Sequence, residues 1–116
     1  MATLSRIPFS GSTHGTNIKV TQTATAGDLI HTATTSATLT DRLYIAACNT
    51  SAAAVKLTIE FGGVVSPDDL MEKVIPPESG WIWVVPGFLL RNTLICRAFA
   101  ASANVINVNG YVSREA

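Results

Sequence analysis

Charge is what this 116-residue chain has least of: Asp, Glu, Lys and Arg make up 14% of it, eight of each sign, so the formal net charge is zero. No basic stripe interleaved with aromatics occurs, which removes the electrostatic footprint that nucleic-acid binding requires. Long apolar runs are also missing. The longest, WIWVVPGFLL, is ten residues and is interrupted by Pro86 and Gly87, while MATLSRIPFSGSTHG holds no apolar core of signal-peptide length. Neither a nucleic acid nor a membrane is expected as a partner.

Reactive side chains are equally sparse. The two histidines, His14 and His31, lie in no HExxH and near no cysteine pair at zinc spacing, so no metal site is expected. His31 reads as a structural or exposed polar residue. No GxSxG elbow or Cys-His signature supports a nucleophile, and FGGV lacks the spacing of a phosphate loop; its glycines suit a sharp turn. Asp68, Asp69 and Glu72 form the densest acidic cluster, without calcium-loop spacing, and read as a solvated loop opening one short helical turn. The chain is therefore expected to be no enzyme, with no catalytic residue and no cofactor. Cys48 and Cys96 each sit in an apolar run and read as free buried thiols, although a bridge remains open if their strands are neighbours.

What is present is 47% apolar residues, enough for one core in a chain of this length. With so few ions, much of the exterior must be Thr, Ser, Asn and Ala, a surface that loses little solvation energy when another protein covers it. Function by surfaces, and by assembly, follows from that composition.

The first sixteen residues are rich in Ser, Thr and Gly with only Ile7 and Phe9 as large apolar anchors, and read as an extended arm. The arm is either a loose terminus or a segment ordered against a neighbouring subunit, with Arg6, Ile7 and Phe9 as its contact residues. Residues 17–116 read as one domain. NIKVTQTAT and DLIHTAT are short strands, the stretch from Thr32 to Thr40 a loop or edge strand, and DRLYIAACN a central strand apolar on both faces. VKLTIEF alternates cleanly, as a strand with one buried face does. VIPPESGWIWVVPG gives a strand end, a turn and a strand with Trp81 and Trp83 on one side. TLICRAFAAS and NVINVNGYVSRE complete an all-β chain: an antiparallel β-sandwich or a jelly-roll-like barrel. Two tryptophans two residues apart suit either an inward strand face or an exposed platform for a protein or a sugar.

The order of these segments, AACNTSAAAVKLTIEFGG, then VIPPESGWIWVVPGFLL, then RAFAASANVINVNGYVSRE, resembles a class of small structural proteins of tailed bacteriophages. In that class a strand pair precedes an IPPxxG turn, a PGxxL strand, a hairpin and a terminal GyV. The likeness spans residues 27 to 115. It implies a virion protein made in the host cytoplasm. The first expectation is a head decoration (cement) protein whose partners are the major capsid protein or other virion proteins and its own copies, as trimers by analogy. A head–tail connector or tail subunit is the alternative, and a carbohydrate-binding module of a host-recognition device, using Trp81 and Trp83, is another.

Overall fold

The computed structural model describes residues 4–115. Among them nine strands form: β1 (Leu4–Ile7), β2 (Ile18–Lys19), β3 (Asp28–Thr32), β4 (Thr40–Asn49), β5 (Val55–Phe61), β6 (Leu70–Ile75), β7 (Ile82–Leu90), β8 (Ile95–Ala100) and β9 (Ile106–Glu115). They make two antiparallel sheets. The first has the order β1-β9-β4-β7, with β2 also pairing β9; the second has the order β3-β8-β5-β6. The chain changes sheet at most connections, which gives a sandwich with jelly-roll connectivity rather than a closed barrel.

The core follows from the alternation. Leu43, Ile45, Val85, Val108 and Val112 of the first sheet face Ile30, Leu57, Ile59, Ile75 and Ala98 of the second, all at 0% exposure. Each large aliphatic side chain removed from water in this way contributes about 2 kcal/mol. DRLYIAACN is central, paired along its length with β9 and also with β7. VKLTIEF pairs β6 on one side and β8 on the other, and contrary to the one-face reading its polar side is largely covered too, with Thr58 and Glu60 at 1% and 0% exposure.

Two further expectations require correction. The N-terminal segment does not extend away as an arm: residues 4–7 are β1, hydrogen-bonded to Val112–Glu115 of β9, and Phe9 is 1% exposed inside the core. A Ser/Thr/Gly-rich segment hid this because two apolar residues suffice to anchor it. The acidic stretch forms the single turn expected of it, closed by Asp69 N–H to Val65 C=O at 2.9 Å, before the chain enters β6. Cys48 is half-buried rather than buried, pointing away from the core on β4, whereas Cys96 is fully buried on β8 of the other sheet. The two thiols are free.

Candidate functional site

The outer face of the first sheet carries the most organised surface of the molecule. In β4, Tyr44 alternates with the buried Leu43 and Ile45 and therefore points outward. Its cross-strand partner is Tyr111 of β9, and the two rings stack at 4.6 Å between centroids, 22° from parallel. On the other side Trp83 of β7 presents an edge contact to Tyr44 at 6.4 Å and 76°. At the far end the Arg6 guanidinium of β1 lies over the Tyr111 ring, 5.8 Å from its centroid, within cation–π range. Four strands thus contribute one side chain each to a ridge running Arg6–Tyr111–Tyr44–Trp83.

Local sequence explains how Tyr44 is seated. Gly110 stands beside it on β9 with φ +150°, and a Cβ there would fall on the Tyr44 carbonyl oxygen. Gly87 on β7 has φ +110°, and a Cβ there would come within 2.9 Å of the Tyr44 ring. Two glycines therefore let the flanking strands close on one tyrosine. Register shifts in β7 skip Gly87 and Val84, so Pro86 falls opposite Tyr44 and Trp83 opposite Ala46. Those bulges keep Val85 inward while Trp83 stays outward.

Trp81 and Trp83 are 51% and 57% exposed, so neither indole belongs to the core. Their neighbours Ile82 and Val84 take the inward positions and pack against it. Phe88 and Leu89 of the same edge strand are also about half exposed. Of the predicted contact residues, the structure brings Arg6 and Trp83 into one ridge, leaves Trp81 exposed just before β7 and sends Phe9 inward. Ile7 is half-buried against the core. Tyr44 and Tyr111 were missed because each lies in a strand whose alternation merely looked amphipathic; the signal that could have found them is their pairing across β4 and β9.

On the outer side of the first sheet lie Arg6, Lys19 and Arg42, and the one outward acid among its described strand residues is Glu115, 3.5 Å from Arg42. The second sheet bears a cleft of about 370 Å³ lined by Thr23, Thr25, Glu60, Val64, Leu70 and Phe99. Glu60, at 0% exposure, accepts hydrogen bonds from Gly27 N–H at 2.7 Å and from the Thr25 hydroxyl. Its carboxylate thereby fastens the loop before β3 to the sheet.

A second buried polar group joins the two sheets. Asp41, fully buried, accepts from Arg114 Nε at 2.7 Å and Nη2 at 2.9 Å, from Thr34 N–H at 3.0 Å, and from His31 Nε2 at 2.8 Å. These donors outweigh the cost of burial and hold its carboxyl below the ordinary carboxylate range. His31 and Asp41 resemble a catalytic pair in distance alone. The other imidazole nitrogen, Nδ1, already accepts the Ser10 N–H at 3.0 Å, so the ring has no nitrogen open to a substrate. Burial pushes the Cys96 thiol up to about 12, which leaves it without a nucleophilic thiolate near neutrality. Among the described residues no group of three His, Cys, Asp or Glu is placed to hold a metal ion, and no helix is long and apolar enough to cross a membrane.

The fold and this surface define a small all-β protein of two antiparallel sheets with an exposed aromatic–arginine ridge. Comparison with family models, with curated proteins and with solved structures finds no match.

Proposed function

We propose that this chain is a virion structural protein of a tailed bacteriophage, a head decoration subunit that docks on the assembled shell through the outer face of its first sheet. The observation that carries the proposal is the ridge. Trp, Tyr and Arg are the residue types that dominate protein–protein binding energy, and here they are held in contact with one another before any partner arrives. A partner therefore meets rings whose rotamer freedom is already spent, and little ordering entropy opposes docking. The surrounding Arg6, Lys19 and Arg42 select a partner surface with an apolar centre and carboxylates at its rim. Stabilisation follows by mass action: a subunit that binds the assembled shell and not its free components lowers the shell's free energy. Trimers at threefold positions of the lattice belong to the same proposal, by the resemblance in sequence.

The test is the location and copy number of the chain in purified particles. Hundreds of copies retained on tailless heads support decoration; a few dozen copies lost with the tails point instead to a connector or tail subunit. A second reading, a sugar-binding surface, is favoured by the exposure of both indoles. Against a broad sugar platform, each tyrosine ring stacks on the other and has a further side chain, Trp83 or Arg6, against it. Indole emission that responds to added polysaccharide supports that reading, and unchanged emission removes it.

A further inference from the structure

We propose that His31 is an acid-responsive latch for the N-terminal segment, holding residues 5–11 against the sandwich when neutral and releasing them when protonated. The geometry around the ring sets up this behaviour. Nδ1 faces a backbone N–H, that of Ser10, and must be the acceptor in that 3.0 Å contact. The ring proton therefore sits on Nε2, where it is donated to Asp41. Adding a second proton places an N–H on Nδ1 directly against the Ser10 N–H, two donors facing each other. Ser10 has to move before the ring can keep that proton.

Every titratable group around the ring leaves this conflict in place. Among the described residues Asp41 from β4 is the one carboxylate in contact, and the two-pronged hydrogen bond from Arg114 of β9 already balances its charge. An imidazolium would leave the buried group with a net positive charge. Cys96, opposite His31 on β8, is a neutral thiol. Burial and Arg114 oppose the cation and Asp41 favours it; burial prevails, and the ring titrates below its ordinary range.

Displacing Ser10 acts on the whole segment. The Ser10 hydroxyl accepts the Thr32 N–H at 2.7 Å, Gly11 N–H donates to Ile30 C=O at 3.0 Å, and the Phe9 ring lies 6.1 Å from the imidazole. Arg6 is carried on the same segment, so its release removes the cation from Tyr111 and uncovers the β9 edge from Val112 to Glu115. The latch therefore controls one end of the docking ridge. That last consequence rests on the function proposed above, whereas the latch itself does not.

The sign follows from linkage. Opening the segment admits water to His31 and relieves the burial that lowers its pKa in the closed state, so the ring titrates higher when open than when closed. The open state thus binds more protons in between, and its population grows by up to about tenfold per pH unit as pH falls through that interval. The experiment is backbone hydrogen exchange on the full chain between pH 7.5 and pH 4.5, corrected for intrinsic rates, for wild type and His31→Gln. The expected result is faster exchange at residues 5–11 with that slope, β4 amides not following, and no slope in the variant. A flat wild-type profile, the same slope in His31→Gln, or β4 opening in parallel overturns the latch. Should His31→Gln fail to fold, imidazole nitrogen NMR of the wild type decides: an Nε2–H tautomer with a pKa below 6.5 is expected, and an Nδ1–H tautomer or a pKa of 6.5 or above refutes it. Shell binding is then measured at both ends of the pH range, so that a working latch without acid-weakened docking counts against the ridge's role alone.

Discussion

Phe9→Ala separates a folded N-terminus from a loose one. The ring is 1% exposed and belongs to the core cluster, near the His31 ring and close enough to Gly110 that a Cβ there would lie 3.2 Å from Phe9 Cζ. Removing a fully buried phenyl ring costs transfer free energy and leaves a cavity, together about 3–5 kcal/mol. Partial collapse is limited here because the backbone of β9 at Gly110 cannot approach without disturbing Tyr44. The upper half of the range, about 4–5 kcal/mol, is therefore expected. For a domain of this size that lowers the melting temperature by roughly 15–25 °C. Urea unfolding followed by far-ultraviolet circular dichroism should show the midpoint fall with an unchanged slope. A loss under about 0.5 kcal/mol, as for an exposed position, would refute the placement of residues 4–11 on the sandwich. Deleting residues 1–16 should destabilise at least as much, since it removes β1 as well as this ring.

Gly110→Ala forces a side chain onto the Tyr44 carbonyl at positive φ and should cost more than about 2 kcal/mol, read by the same unfolding curve. With a disulfide-exchange reagent at pH 8, the native protein should give one reacting thiol, Cys48, with Cys96 reacting only after unfolding; two rapid equivalents would contradict the burial of Cys96. Acid should weaken the fold in two stages. His31, lowered from 6.5, contributes stability that is complete above that pH and declines as pH falls toward its folded value. Asp41, lowered from 3.8, contributes stability present above that value and lost below it. Thermal melts at intervals from pH 8 to pH 2.5 check both, and Asp41→Asn should cost about 3 kcal/mol at neutral pH, toward the low end for a broken buried pair because Arg114 is 36% exposed.

The strands were legible where one face is plainly apolar. VKLTIEF, DLIHTAT and the two C-terminal runs alternate with a period of two, and each appears as a strand within a residue or two of its expected place. Trp81 and Trp83 were harder because Ile82, Val84 and Val85 offer an equally apolar alternative for the inward face, and hydrophobicity alone does not choose between them. The N-terminal strand was illegible for the opposite reason: its pairing with β9 is made by backbone groups, which composition does not encode. The ends of the His31–Asp41–Arg114 group are 83 positions apart and the group draws on three strands, so no local spacing reveals it.

The candidate ridge shows the same limit. Tyr44 and Tyr111 lie 67 residues apart and meet because β4 and β9 pair in one register; a slip of one residue would turn one of them into the core. Sequence supplied the low charge and the aromatic residues of an interaction surface. The sheet supplied their arrangement.

Oxidative footprinting of purified virions against the free protein tests the docking account most directly. It predicts that the chain is present on the particles and that Trp83, Tyr44 and Tyr111 are protected about tenfold or more relative to the free protein, while Val74 on the outer face of the second sheet is not. Absence of the chain from the particles, or ridge residues oxidised as fast as in solution, would contradict it.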